Sequence, residues 1–161
     1  GTSSGFSIAA GEARSRGFEF DLNYALDERF NLIAVYAYTD AEVTKDTRPA
    51  LLGSGLSNVP RHSGAIYGHW QSNATNPGSI GLGAGITYVG ERPGDDVNSG
   101  FRLPDYVTAR LNLSYQVNDH VAVHLDAENL FDAYYLESSY SNVWITPGTP
   151  RTVRGRLVLS L

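Results

Sequence analysis

The sequence predicts an all-β fold: an antiparallel transmembrane β-barrel segment of about eight strands in meander order. Three observations carry this. Apolar and polar side chains alternate with a period of two through runs of about ten residues, the length a tilted strand needs to cross a bilayer. Strands of ordinary globular domains average only about 5–6 residues. Long connections containing Gly and Pro alternate with short ones, so every long connection falls at one end of the strands. Tyrosine (10) and glycine (17) are abundant among the 161 residues, and aromatic residues gather toward the ends of the runs, where an interfacial girdle belongs.

A weak run at residues 6–10 comes first. Phe18, Phe20, Leu22, Tyr24 and Leu26 then alternate with Glu19, Asp21, Asn23 and Ala25, and Asp27, Glu28 and Arg29 turn the chain. A long strand is predicted over 30–44 and a polar loop over 45–60. Residues 61–72 form the next strand, with a turn at 73–77. Ile80, Leu82, Ala84, Ile86 and Tyr88 share one face, backed by Gly81, Gly83, Gly85 and Thr87. Glycines at period two inside a strand are not a phosphate loop; they fit tight curvature or close packing. A second long loop covers 91–102, a strand follows over 106–117, and residues 118–120 make a tight turn. The strand over 121–131 precedes a third long loop over 132–150, and 153–161 closes the chain.

The faces differ in chemistry. Val121, Val123, Leu125 and Ala127 share one side of their strand, and His124, Asp126 and Glu128 share the other. A basic side chain facing lipid at the bilayer midplane costs about 2–4 kcal/mol, and an acid less. The polar side therefore faces a hydrated lumen. Arg110, inward on the same parity, is placed to pair with these acids across strands.

Composition excludes other classes. Cysteine is absent (Cys 0), so neither a disulfide framework nor a thiolate metal site exists. The net charge of −5 gives no basic footprint for nucleic acid. Mean hydropathy is −0.23, and no window approaches the roughly 20 apolar residues of a transmembrane helix. The four histidines are scattered, with no metal-ligand spacing on one element, and Asp95-Asp96 reads as a solvated loop without calcium-loop spacing.

Several motifs, in order, resemble the C-terminal part of TonB-dependent outer-membrane receptors of the ferric-siderophore type. They are GEARSRGFE from Gly11, NVPRHS from Asn58, GAGITYVGER from Gly83, LPDY from Leu103, NLFDAYY from Asn129 and PGTPR from Pro147. The resemblance implies the last part of a 22-stranded barrel. Residues 1–161 are then one C-terminal barrel segment without the plug domain, through which the TonB system acts in the full receptor. It implies a bacterial outer-membrane location, a ferric-siderophore ligand, surrounding outer-membrane lipid, no enzymatic chemistry, and no cofactor or protein-bound metal. Leu161 departs from the family's usual terminal aromatic residue.

Within that frame, Arg92, Phe101, Arg102, Tyr140 and Trp144 are the ligand-binding candidates, because Arg and aromatic side chains at a barrel mouth suit an anionic, amphipathic chelate. Tyr134 and Tyr135 fit an interfacial girdle as well as a binding role. Arg110, His124, Asp126 and Glu128 form the expected lumen network. Two other readings stay open: an autonomous eight-stranded barrel with a structural or adhesive role, in which the first and last strands pair, and a soluble sandwich, in which apolar faces pack together.

Overall fold

The computed structural model describes residues 11–72 and 77–160. Along the chain lie β1 (Glu12–Ala25), β2 (Phe30–Lys45), a short 3-10 turn (Pro49–Leu51), β3 (His62–Gln71), β4 (Ile80–Val89), β5 (Arg92–Pro93), β6 (Arg102–Leu103), β7 (Tyr106–Asn118), β8 (Val121–Glu128), β9 (Leu136–Ser141), β10 (Trp144–Pro147) and β11 (Thr152–Leu159).

 

Seven of these form one antiparallel meander in the order β1-β2-β3-β4-β7-β8-β11, while β5-β6 and β9-β10 are small hairpins within the long connections. The closing strand β11 runs Thr152–Leu159. The predicted strand at 6–10 lies outside the described residues.

Register fixes the two faces. One row across the wall reads Trp70, Leu82, Leu113, Leu125, Gly155, and the adjacent row reads His69, Gly83, Asn112, Asp126, Arg154. Because neighbours in register share a face, the whole sheet has one apolar side and one polar side. The apolar side is open: Ile86 is 52% exposed and Leu125 46%. Among the described residues the buried apolar side chains are Leu51, Leu103 and Ala127 alone. Among the described residues no second sheet covers the apolar face, which is the geometry of a lipid-facing wall and not of a sandwich. The ends of β1 and β11 do not pair, so the sheet is open and the autonomous closed barrel is not favoured.

Aromatic residues edge the apolar band at both ends. Phe18 sits 5.7 Å from Tyr36 and 5.8 Å from Tyr38, centroid to centroid, and His62 lies 5.2 Å from Tyr38. Tyr36 and His62 also share a 2.7 Å hydrogen bond. Tyr24, Phe30, Trp70 and Tyr115 stand at the short-turn end of the same face. Amphipathic rings belong at such levels, where one edge meets lipid and the other water.

Element bounds depart from the predicted ones for local reasons. The 121–131 strand stops at Glu128, because Asn129 takes a positive φ of 47° and leaves the ladder. β1 begins at Glu12, since Arg14 and Arg16 continue the pairing opposite Glu42 and Asp40. The two loop hairpins escape the sequence because strands of two to six residues show too little alternation.

Candidate functional site

The three long connections gather at one end of the wall and are tied to one another through main-chain groups. Asn58, at a positive φ of 61°, donates its side-chain amide to the Ser139 carbonyl at 2.7 Å and accepts the Ser139 N–H at 2.9 Å. The Ser139 hydroxyl donates to the Gly94 carbonyl at 2.6 Å, and the Asn58 N–H donates to the Pro93 carbonyl at 2.8 Å. Ser57 donates to Asp96, and the Asn98 amide reaches the Ala50 carbonyl at 3.1 Å. One residue from each loop thus meets in a shared joint. Buried polar groups demand such partners, so the joint holds the loops in one arrangement.

Arg92 is part of this joint. It is buried, with 2% exposure, and donates to the carbonyls of Leu136 and Glu137 at 2.7 and 2.8 Å. Its guanidinium also lies 5.5 Å from the Tyr106 ring centroid. Tyr106 stacks on Tyr135 at 4.3 Å, and the Tyr135 ring covers Gly148, where a Cβ would overlap it. Tyr106 carries the inward parity of β7, opposite Val89, so this pair belongs to the lumen side and not to the outer girdle. Tyr134, by contrast, is exposed, at 84%.

NLFDAYY acts as a staple for the last loop. Asn129 is buried, exchanges two hydrogen bonds with the Ala133 backbone, and donates to the Thr149 carbonyl at 3.0 Å. Asp132 accepts the Arg151 N–H at 2.9 Å. The motif's polar residues fold the chain back onto its own return segment.

Asp95 is buried rather than solvated. The Ser99 hydroxyl donates to its carboxylate, as do the N–H groups of Val97 and Ser99, and these bonds hold its pKa below the usual carboxylate value. The other candidates are spread over the loop body. Phe101 packs across Gly94, and Arg102 donates its Nε–H to Glu91. Tyr140 and Trp144 project from the β9-β10 hairpin, both strongly exposed. Arg92 binds the same hairpin at Leu136 and Glu137, and among the described residues its cation–ring contact is with Tyr106 and not with Tyr140 or Trp144.

On the inner wall, Tyr67 lies flat across the glycine row of β4. A Cβ at Gly83 would overlap its hydroxyl, and one at Gly85 would come within 2.9 Å of its ring. The Tyr67 hydroxyl donates to Asn112 at 3.2 Å, and Asn112 donates onward to Asp126. Arg110 stacks on the Tyr67 ring at 4.4 Å and makes no ion pair among the described residues. The expected pairing with the acids falls instead to Arg154, 3.4 Å from Glu128. Arg154 was not read from the sequence as a partner, although its even parity on β11 matches that of Asp126 and Glu128 in register. His124 lies on this face beside Ser114 and lines a shallow depression with Tyr67 and Asp126.

Residues 1–130 match the family model described as TonB dependent receptor-like, beta-barrel. The chain belongs to the TonB-dependent receptor β-barrel family. It is 44% identical over 156 residues to the metal-pseudopaline receptor CntO of Pseudomonas aeruginosa, covering 97% of this chain and 22% of that protein. It is 31% identical to the ferrichrome outer membrane transporter/phage receptor of Escherichia coli, over 92% of this chain and 20% of the other. The crystal structure of the siderophore receptor PiuA from Acinetobacter baumannii superposes with a TM-score of 0.79 at 27% identity, over 92% of this chain and 22% of that one. The chain thus spans about a fifth of the length of the curated relatives it matches. These relatives are TonB-dependent siderophore or metal receptors, not enzymes, and this segment is a partial wall of an outer-membrane barrel.

Proposed function

We propose that the segment serves a receptor that takes up a metal chelate of the ferric-siderophore type, forming part of its barrel wall, its outer loops and its ligand vestibule. The apolar face meets outer-membrane lipid. The polar face meets the contents of the barrel, where the plug domain of the full receptor receives the pull of TonB. The chelate is cargo, and this chain supplies no covalent chemistry and holds no cofactor.

The observation that carries this reading is the joint at Asn58, Ser139, Gly94 and Arg92, which locks three loops together at one mouth of a lipid-facing wall. Pre-ordered loops lose less conformational entropy when a ligand binds. The roles divide by position. Tyr140 and Trp144 offer exposed rings for first contact, Phe101 and Arg102 offer a packed ring and a cation nearer the joint, and Arg92 holds the loops in place. The similarity to a metal-pseudopaline receptor and a ferrichrome transporter supports the chelate class.

The test is energy-dependent uptake of radiolabelled ferric chelates by cells expressing the full-length receptor. Uptake lost without TonB, and reduced in the Tyr140→Ala/Trp144→Ala double variant, supports the reading. Uptake indifferent to both contradicts it.

A further inference from the structure

The loop body encloses a cleft of about 380 Å³, within the size range of small-molecule sites, about 300–1,000 Å³. Its floor includes Thr39 and Ala41, which carry the inward parity of β2, and its sides include Ser54, Glu91, Arg61 and Arg102. Among the described residues its lining contains two arginines and one acid, and not one aromatic residue.

Neither arginine is used up. Arg61 reaches Asp40 only at 3.5 Å, with its side chain 73% exposed, and Arg102 commits its Nε–H to Glu91 with its side chain 51% exposed. A guanidinium carries five N–H donors in a planar fork, so both retain donors for a second acceptor. Glu91 accepts the Nε–H of Arg102, and no bond from the terminal amino groups is seen among the described residues. Around them are small hydroxyl and amide groups, Thr39, Ser54 and Asn98.

We propose that this cleft recognises an aliphatic, carboxylate-bearing metal chelate, held by Arg61 and Arg102, and not an aromatic catecholate. Carboxylates match the guanidinium fork in two-point geometry. Catechol rings are held best by stacking on aromatic faces, and the apolar part of this lining is the aliphatic Ala41, Leu52, Val59 and Pro93. The exposed rings of Tyr140 and Trp144 lie outside its lining. The inference rests on the receptor reading above and adds the class of ligand to it.

Binding to the purified full-length receptor is measured by calorimetry with four probes: ferric citrate, ferric ethylenediaminedisuccinate, a ferric tris-catecholate and ferrioxamine B. The carboxylate chelates are expected to bind in preference to the other two. Arg61→Ala and Arg102→Ala are each expected to weaken them by about tenfold or more, the scale of a lost charge-assisted hydrogen bond. Arg102→Lys, which keeps the charge but not the fork, restores part of the loss. Both arginines are exposed, so these variants leave the fold intact. Preference for the catecholate or ferrioxamine B, with both arginine variants unchanged, overturns the inference and leaves the receptor reading standing. Carboxylate binding that ignores both variants overturns the placement in this cleft. Binding of none of the four probes overturns the inference and counts against the receptor reading too.

Discussion

Replacing Gly83 with alanine probes how the inner wall is packed. The new Cβ would overlap the Tyr67 hydroxyl, which is the free end of a side chain, so Tyr67 swings away and the backbone stays. Two interactions go with it. The hydrogen bond to Asn112, at 3.2 Å, is worth about 0.5–1.5 kcal/mol. The stacking of Arg110 on the ring, at 4.4 Å, is worth about 0.5–2 kcal/mol. Together the loss is about 1–3.5 kcal/mol. Gly155 is the matched control, since it lies on the lipid side and a Cβ there meets nothing within 4 Å. Urea unfolding of the full-length receptor in detergent reads both variants. Gly83→Ala is expected to lower stability and Gly155→Ala to leave it unchanged. Adding Gly83→Ala to a Tyr67→Ala background should cost little more, because the two share one set of contacts. Equal effects at the two glycines, or full additivity with Tyr67→Ala, would refute the reasoning.

Asn129→Ala removes three hydrogen bonds from a buried side chain, and should make the 129–151 loop sensitive to limited proteolysis while the wall stays folded; cleavage unchanged from wild type counts against the staple. The Asp95 carboxylate, lowered by Ser99, contributes order that is fully present above its unfolded pKa of about 4 and is lost as pH falls through the lowered folded value. Hydrogen exchange of the β5-β6 loop should accordingly rise only under strong acid, and Ser99→Ala should move the rise to higher pH. Arg154→Ala breaks an exposed pair and should change stability by less than about 1 kcal/mol in the same urea assay.

The wall was largely legible, because a membrane strand must alternate along its whole length and the repeat is long enough to count. The lumen side of His124, Asp126 and Glu128 followed from the same parity. The partners across it did not. Arg110 and Asp126 occupy suitable faces, but alternation cannot say that Tyr67 will lie over the glycines and claim the guanidinium. The loops were least legible. Asn58, Ser139 and Asn129 act through backbone groups far away in sequence, 81 residues apart in the case of Asn58 and Ser139. Arg92 looked like a free cation beside aromatics, yet it is a buried strut. The residue type at Asn58 and Asn129 was a local hint, since Asn tolerates the positive φ both adopt better than most residues.

The central claim is that this chain is a lipid-facing wall with its polar side turned inward. This segment has no native cysteine (Cys 0), so single cysteines can be placed along β7 and β8 of the full-length receptor in membranes, with any cysteine outside the segment replaced by serine. Labelling with a water-soluble maleimide should alternate: strong at positions 112, 114 and 124 once the plug's cover is loosened with urea, and absent at 111, 113 and 125, where a lipid-soluble reagent reacts instead. Water-soluble labelling of both sets alike, or a reversed alternation, would contradict the account.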